Sequence, residues 1–290
     1  MIPAAASRAS RLAPSTVPPF RELPMAPTVS PVADISPCGT HRATLKSRPA
    51  PSTIPVMDHG DSGGHPGERE QLVRYSVRML DDGLATGSAG NMSIRTGDQV
   101  LITPSGIAYR DLRDADICVI GLQGEVQVKA EAAPVPSSET PMHLAVYAAT
   151  GAQAVVHTHS PEVIALSAVY DELPAIHYAI VSLGGPVRVA DYTRFGSDYL
   201  ASVAVAAMDG RTAAILRNHG AVCYGSTLAE AYDRALLLEW LAQVHRLAWS
   251  LAGRGGRPEP RILTEAELAE VSAEMQRIHY GQTPGRGNGE

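Results

Sequence analysis

The sequence is poor in cysteine and lysine, and both shortages exclude chemistry. Its three cysteines, Cys38, Cys118 and Cys223, show no C-x-x-C spacing, so neither a disulfide framework nor a cysteine zinc site is expected, which suits a cytoplasmic location. Its two lysines are Lys46, in a proline-rich segment, and Lys129, in a polar one. Schiff-base and pyridoxal enzymes need a lysine in a dry pocket, so neither class fits.

Long hydrophobic runs and basic stripes are missing as well. No stretch approaches the roughly 20 apolar residues of a membrane span. Residues 1–56 carry a net charge of +4 and the remaining residues −10, and an acidic domain does not suit nucleic acid. There is no Walker loop, and Gly87 and Gly90 do not follow a predicted strand as in a dinucleotide fingerprint. We expect a soluble protein that binds neither membrane nor nucleic acid.

Half of the prolines lie in one segment, because 11 of the 22 precede Met57. That segment has no sustained apolar period, so it cannot bury enough apolar surface to offset its ordering entropy. We predict a disordered leader without a catalytic role over residues 1–56, with Met57 as a natural start. A transit peptide is less favoured, since no clear amphipathic helix is present. One folded domain is predicted over residues 57–280, with a flexible tail over 281–290.

Helical and strand-like patterns alternate along the predicted domain. Helices are predicted over residues 68–82, 138–149, 161–169, 197–208, 227–251 and 265–277. Strands are predicted over residues 91–95, 100–103, 117–120, 125–129, 155–159, 175–182, 212–216 and 221–224. Because the early strands are mostly joined by hairpin-length connections, the predicted fold class is α/β. It is a single three-layer α/β/α domain with a central, largely antiparallel sheet.

Two histidines separated by one residue, His157 and His159, follow a pair of valines. Side chains alternate across a strand, so residues i and i+2 share a face and can bind one metal ion. His219, after another apolar run, and Glu139, before a helical pattern, could complete a set for a divalent ion such as zinc. Alternatively, each histidine is an ordinary polar residue. Glu139 and His143, four apart on one helix, could also chelate a metal, although a helix-face role suits His143 better.

Three small polar loops, at residues 90–93, 103–106 and 137–138, form a second candidate site. Glycine lets a backbone approach an anion closely, and hydroxyl and amide groups donate hydrogen bonds. The third loop lies at a predicted helix start, whose N–H groups and dipole favour negative charge. Together the loops suit a phosphate monoester, and a phosphate bound there would bring its carbon skeleton within reach of Glu139. Taken singly, such loops are usually turns and caps.

Six short motifs follow one another between residues 90 and 220. They are Gly90-Asn91-x-Ser93, Thr103-Pro104-Ser105-Gly106, Ser137-Ser138-Glu139, His157-x-His159, Pro174-Ala175-Ile176-His177-Tyr178 and Asn218-His219-Gly220. In order and spacing they resemble the class II aldolase/adducin family, and most closely its members that cleave L-fuculose 1-phosphate. The resemblance spans about residues 72–280, which is nearly the whole predicted domain.

The resemblance implies a role for each matched residue. The implied ligands of one zinc ion per subunit are Glu139, His157, His159 and His219. The implied phosphate ligands are Gly90, Asn91, Ser105, Gly106, Ser137 and Ser138. Glu139 would also act as acid/base, and Tyr178 would reach from a neighbouring subunit of a homotetramer to protonate the aldehyde oxygen. Tyr280 is a looser match to a second tyrosine of the family.

The implied function is zinc-dependent aldol cleavage of a ketose 1-phosphate to dihydroxyacetone phosphate and a short aldehyde such as lactaldehyde. A pentulose-phosphate 4-epimerase and a methylthioribulose-1-phosphate dehydratase on the same scaffold stay open, although the family's epimerases usually carry aspartate in place of Glu139. A non-catalytic adducin-like binding module and a zinc hydrolase are alternatives from other classes.

Further expectations concern single side chains. Glu139 is expected to have a raised pKa, because a partly dry pocket beside a phosphate disfavours its charge. A strand would send the neighbours His177 and Tyr178 to opposite faces, so that only one of them meets substrate. His245, inside the longest predicted helix, is expected to be structural.

Overall fold

The computed structural model describes residues 64–126 and 133–278. Its helices are α1 (Pro66–Asp81), α2 (Thr140–Ala149), α3 (Pro161–Ser167), α4 (Asp198–Ala207), α5 (Leu228–Leu251) and α6 (Glu265–Arg277). Its strands are β1 (Asn91–Thr96), β2 (Gln99–Ile102), β3 (Cys118–Gly121), β4 (Ala154–Thr158), β5 (Glu172–Leu173), β6 (Val187–Ala190), β7 (Ala213–Leu216) and β8 (Gly220–Gly225). Short 3-10 helices lie at Asp114–Asp116 and Tyr178–Leu183. The predicted leader, the tail and Tyr280 lie outside the described residues, so the domain boundaries stay predictions.

The strands of the described residues form one sheet in the order β3-β2-β1-β4-β8-β7-β6-β5. Neighbouring strands are antiparallel except β6 and β7, which are parallel. The largely antiparallel sheet predicted from the short connections is therefore confirmed. Strands β1, β4 and β8 lie side by side at its centre.

Alternate residues of the central strands face two different helical layers. In β4, Ala154 and Val156 belong to the apolar cluster that also contains residues of α1, α3, α5 and α6. Val155, between them, belongs to the cluster that contains residues of α2 and α4. Because a strand turns successive side chains to opposite faces, this division confirms the three-layer α/β/α arrangement.

Capping residues set the starts of several helices. Ser197, Thr227 and Thr264 each accept a hydrogen bond from the backbone N–H three residues further on, at α4, α5 and α6. No helix among the residues described here is long and apolar enough to cross a membrane.

Three predicted elements need correction. Residues 175–182 do not form a strand, because Tyr178–Leu183 is a 3-10 helix that ends at Gly184 in the left-handed region (φ 89°). The strand of this region is β6 instead, which was not predicted. Helix α2 begins at Thr140, two residues later than predicted, with Glu139 as its capping residue. Of the predicted strand over 125–129, Val126 forms an isolated bridge, and the residues after it lie outside the described part.

Candidate active site

The three histidines lie together at one end of the central strands. His157 lies in β4, His159 follows the end of that strand, and His219 lies in the turn between β7 and β8. Gly220 begins β8 beside Thr158, and a Cβ atom added there would lie 1.9 Å from the Thr158 carbonyl oxygen. Only glycine therefore lets the two strands come close enough to join their histidines.

The side chains of Glu139 and the three histidines converge on one point. The Nε2 atom of His157 lies 2.9 Å from Nε2 of His159 and 2.9 Å from Oε2 of Glu139. The Nε2 atom of His219 lies 3.3 Å from Oε1 of Glu139. One ligand atom from each of the four residues lies within 4.8 Å of the others. Among the described residues, no other group of three or more His, Cys, Asp or Glu side chains has this geometry.

A backbone hydrogen bond sets the tautomer of His157. Its Nδ1 atom lies 2.8 Å from the carbonyl oxygen of Ala221 in β8. A carbonyl can only accept, so Nδ1 carries a hydrogen, and Nε2 is the atom that faces Glu139 and the other histidines. This is the usual arrangement of a metal-binding histidine.

The charges of the cluster differ from the expectation for Glu139. Burial raises the pKa of Glu139, but the charge and hydrogen bond of His157, together with Asn91 and His219, outweigh burial and lower that pKa well below its usual range. The expected raised pKa is therefore wrong for the metal-free site. The pKa of His157 is raised, because Glu139 outweighs the effect of burial. Burial and the nearby His157 lower the pKa of His159 to about 3 and that of His219 to about 4.

These four side chains fit a divalent metal ion. Oε1 of Glu139 is buried and makes no hydrogen bond, although the His219 ring lies close, and an unsatisfied buried oxygen is unfavourable. Tetrahedral bonds of about 2.0–2.1 Å to a central ion place ligand atoms about 3.3 Å apart. The observed separations of 2.9 and 3.3 Å lie near this value. A cation among the four groups would satisfy Oε1 and separate the crowded imidazoles.

His143 does not join this cluster, so chelation of a metal by Glu139 and His143 is not supported. His143 lies on the buried face of α2, fully enclosed. Its Nε2 atom lies 2.6 Å from Oδ1 of Asn91, and Asn91 Nδ2 donates to Oε2 of Glu139 over 2.9 Å. Burial lowers the pKa of His143 to about 3, which keeps its ring neutral. Asn91, expected to bind phosphate, thus uses its amide to hold Glu139.

A cavity of about 460 Å³ opens beside the metal-ligand set. Its lining includes all six residues predicted to bind phosphate, which are Gly90, Asn91, Ser105, Gly106, Ser137 and Ser138. Glu139, His159 and His219 line the same cavity. The loops are tied together, because the N–H of Ser105 donates to Val135 O and the N–H of Ser137 to Thr103 O. The predicted loops therefore form one surface next to Glu139.

Sequence reasoning missed one wall of this cavity. Tyr192, Thr193 and Phe195, from the loop before α4, also line it. The side chains of Tyr192 and Phe195 are largely exposed. An aromatic pair in an otherwise polar loop was the available signal, since such residues are usually buried unless they meet a partner or ligand.

Tyr178 lies outside the cavity. It begins the 3-10 helix, is 45% exposed, and is not among the residues of this chain that line the cavity. Its ring lies 4.3 Å from the ring of His177, so the prediction of opposite faces is wrong, because the segment is not a strand. The ring of Trp240 in α5 packs edge-on against His177 at 5.0 Å. We call His177, Tyr178 and Trp240 the aromatic cluster.

His245 fits the expected structural role. It is buried in α5, accepts a hydrogen bond from the Trp249 indole over 3.0 Å, and packs edge-on against Tyr170. Neither of these partners belongs to the Glu139 and histidine cluster.

Comparison with known proteins agrees with this geometry. A sequence profile described as the class II aldolase and adducin N-terminal domain matches residues 70–246. A 5-deoxy-D-ribulose 1-phosphate aldolase of Bacillus thuringiensis serovar kurstaki is 36% identical over 218 residues, which cover 74% of this chain and 97% of the relative. A 5-methylthioribulose-1-phosphate/5-deoxyribulose-1-phosphate aldolase of Rhodospirillum rubrum is 39% identical over 205 residues, 70% of this chain and 88% of the relative.

A solved structure shares the fold as well. An L-fuculose 1-phosphate aldolase superposes with a TM-score of 0.67 at 31% identity, and the alignment covers 75% of this chain and 100% of that one. The profile match spans more than half of the chain, and the relatives are matched over nearly their full length. The chain therefore belongs to the class II aldolase and adducin family, where its relatives include metal-dependent carbon–carbon lyases named as aldolases.

Proposed function

We propose that the protein is a zinc-dependent aldolase that cleaves a ketose 1-phosphate to dihydroxyacetone phosphate and a short aldehyde. The observation that carries the proposal is the position of Glu139. Its carboxylate is part of the metal-ligand set, and its backbone directly follows the serine loop that lines the cavity. Glu139 thus lies between the possible metal-binding group and the loops proposed to bind phosphate.

We assign one zinc ion per subunit to Glu139, His157, His159 and His219. Three imidazoles and one carboxylate are typical zinc ligands, and the hydrogen bond of His157 Nδ1 leaves its Nε2 atom as the one that binds the ion after losing its proton. When bound, the ion supplies Lewis-acid stabilisation of the negative charge that develops on the substrate oxygens.

We assign the phosphate of the substrate to the serine and glycine loops. The backbone N–H groups of Ser105 and Ser137 already donate to carbonyl groups within the protein. The serine hydroxyl groups and the backbone N–H groups of Ser138 and Gly106 are therefore the better candidates to bind the phosphate. Asn91 is a weaker candidate for phosphate binding than the sequence predicted, because its amide already contacts Glu139 and His143.

Glu139 carries the proton in the proposed reaction. In the cleavage direction the bond between carbons 3 and 4 breaks, and the hydroxyl proton on carbon 4 passes by way of Tyr178 of a neighbouring subunit to water as the aldehyde forms. Glu139, protonated from solvent before this step, gives its proton to carbon 3. In the reverse direction Glu139 removes that proton from dihydroxyacetone phosphate, which requires the ionised carboxylate. The lowered pKa of Glu139 supports this base form in the free enzyme.

The substrates named for the relatives narrow the class. They are L-fuculose 1-phosphate, 5-deoxyribulose 1-phosphate and 5-methylthioribulose 1-phosphate. Each is a 1-phosphorylated ketose whose last carbon lacks a hydroxyl group. The exposed aromatic residues Tyr192 and Phe195 at the cavity suit such an apolar end. We propose the same substrate class here, with lactaldehyde or acetaldehyde as the aldehyde product.

We further propose a cytoplasmic homotetramer with active sites at subunit interfaces. The aromatic cluster supports a subunit contact, because Tyr178 and Trp240 are 45% and 43% exposed and large exposed aromatics are enriched at interfaces. Tyr178 would then act on the aldehyde oxygen in a neighbouring subunit. Cys118 and Cys223 are both buried and free, which suits a reducing compartment.

Proton exchange tests the reaction. The chelator-treated protein is reloaded with zinc, mixed with dihydroxyacetone phosphate in deuterium oxide, and followed by NMR at the hydroxymethyl carbon. We expect exchange that disappears without the ion and falls at least about 100-fold in Glu139→Gln. The control Glu70→Gln makes the same change on the exposed face of α1 and should exchange normally. Normal exchange in Glu139→Gln would contradict the assignment.

Product analysis with the three ketose 1-phosphates separates the alternatives. Release of dihydroxyacetone phosphate identifies the aldolase. A 4-epimerase would instead interconvert two ketose phosphates. A dehydratase would remove water and leave the carbon chain of the substrate intact, and a hydrolase would consume water without releasing an aldehyde. A binding module would change none of the substrates.

A further inference from the structure

A row of polar side chains joins helix α2 to strand β1 beneath the active site. Glu139, His143 and Tyr147 are four residues apart and share one face of the helical segment. Asn91 and Ser93 are two residues apart and share one face of β1. All five are buried, in a layer otherwise filled by apolar residues of the α2 and α4 side of the sheet. Buried polar groups are costly unless each one has a partner.

Every link in this row is within hydrogen-bond distance. Tyr147 Oη lies 2.7 Å from Ser93 Oγ, and Ser93 Oγ lies 2.7 Å from His143 Nδ1. His143 Nε2 lies 2.6 Å from Asn91 Oδ1, and Asn91 Nδ2 lies 2.9 Å from Glu139 Oε2. The row therefore runs from Tyr147, in the last turn of α2, to the carboxylate of Glu139.

The acceptor at one end sets the direction of every hydrogen bond. The ionised carboxylate of Glu139 only accepts, so Asn91 donates to it through Nδ2 and presents Oδ1 to His143. Nε2 of His143 then carries the hydrogen, and Nδ1 of the neutral ring accepts from the Ser93 hydroxyl. The Tyr147 hydroxyl donates to Ser93. All four hydrogen bonds point toward the carboxylate, and hydrogen bonds in such a chain strengthen one another.

We propose that His143 is a positioning residue, which orients Asn91 and thereby holds Oε2 of Glu139 in the place needed for proton transfer. Asn91 contacts the carboxylate directly, whereas His143 acts only through Asn91. Without the hydrogen from His143 the Asn91 amide can rotate, and Oε2 of Glu139 loses one of the two side chains that hold it, the other being His157. The proposal rests on the proposed function of Glu139 as the proton carrier.

Two amide substitutions at position 143 differ in the atom that they replace. In His143→Gln the longer side chain brings an amide N–H near the position of Nε2 and keeps the hydrogen bond to Asn91. In His143→Asn the shorter side chain reaches only the position of Nδ1, near Ser93. Both variants place an amide at position 143, so a general loss of stability should affect them equally. A difference in activity between them then reports the position of the amide group. His245→Gln and His245→Asn form the matched control, since His245 is also a buried histidine on a helix but belongs to another site.

The kinetic test compares zinc-loaded variants on the ketose 1-phosphate that the wild type cleaves. We expect kcat to fall about 10- to 100-fold in His143→Asn with KM within about threefold of the wild type, as is typical when the outer partner of a metal site is lost. His143→Gln should keep kcat within about fivefold of the wild type. The two His245 variants should have equal kcat values. Equal kcat values in His143→Gln and His143→Asn would overturn the proposal.

Crystal structures of the metal-free variants give a readout that does not depend on activity. We expect the contact of 2.9 Å between Asn91 Nδ2 and Glu139 Oε2 to remain in His143→Gln and to be lost in His143→Asn. An unchanged contact in His143→Asn would overturn the positioning role. If the wild type cleaves none of the substrates but the carboxylate still moves in His143→Asn, the positioning role stands and the proposed function fails.

Discussion

His143 is an imidazole that the fold keeps neutral. Burial lowers its pKa from 6.5 to about 3. Between these pH values the unfolded chain binds a proton that the folded chain does not bind, so this residue makes the free energy of unfolding fall as the pH falls. From pH 7 to pH 5, His143 should account for a loss of about 2 kcal/mol.

The matching prediction is that His143→Gln, which has no titrating group at this position, loses about 2 kcal/mol less than the wild type over the same interval. Urea denaturation of both chelator-treated proteins at pH 7 and pH 5 measures the difference. Burial also lowers the pKa of His245, so His245→Gln should weaken the pH dependence in the same direction and serves as a comparison, not as a neutral control. An identical pH dependence in wild type and His143→Gln would show that position 143 does not titrate in this way.

At the residue scale, spacing predicted that His157 and His159 meet better than it predicted their surroundings. His157 and His159 share a strand face, and that relation follows from two positions in the sequence. The contact of His143 with Asn91 joins residues 52 positions apart, and no local pattern specifies it. The pKa of Glu139 was predicted in the wrong direction for the same reason. Its partners His157, Asn91 and His219 come from different elements, and only their combined effect outweighs that of burial in the metal-free site.

At the scale of elements, the close approach of β8 to β4 sets the geometry of the site. A Cβ at position 220 would lie 1.9 Å from the Thr158 carbonyl oxygen, so the backbone has to move if Gly220 is replaced by alanine. That movement would displace His219 relative to His157 and His159. Gly220→Ala should therefore bind zinc at least about 100-fold more weakly.

Gly151→Ala is the matched control, because a Cβ at position 151 meets no atom within 4 Å. Competition with a chromophoric chelator gives the zinc affinity of each variant, and circular dichroism checks that each one folds. Wild-type zinc affinity in a folded Gly220→Ala variant would mean that the two strands can separate without moving the ligands.

The elements themselves were mostly predictable, since long helices with caps and alternating strands have strong local patterns. The exception is the region after Pro174. Its run of isoleucine and valine is typical of a strand, but residues 178–183 close into a 3-10 helix. Gly184 and Gly185, both with positive φ, separate it from β6, which has only four residues. Tertiary contacts decide such short segments, because their local preference is weak.

For the whole molecule, the prediction concerns how subunits share an active site. Tyr178 is half-exposed and does not line the cavity of its own chain, whereas Glu139 does. If Tyr178 acts in a neighbouring subunit, Tyr178→Phe and Glu139→Gln chains complement one another. Mixed oligomers of the two inactive variants, refolded together in equal amounts, should regain activity in about a quarter of their sites.

Activity measured before and after co-refolding checks this expectation, and size-exclusion chromatography gives the number of subunits. The same mixture with His159→Ala in place of Tyr178→Phe is the control. Both of its variants lack a group of the same chain's metal set, so mixing should restore nothing. Mixed oligomers of Tyr178→Phe and Glu139→Gln that stay inactive would place the action of Tyr178 elsewhere.

The distance along the chain between the metal-binding histidines has a consequence for biosynthesis. His159 and His219 meet only once β8 has paired with β4, so a nascent chain that has emerged only as far as β4 has no complete place to hold a cation. Loading with the proposed ion therefore has to wait until β8 has been made and paired, and the earlier nascent chain must persist without it. Cells short of zinc should accumulate the polypeptide in an inactive but rescuable pool, which added zinc activates without new protein synthesis.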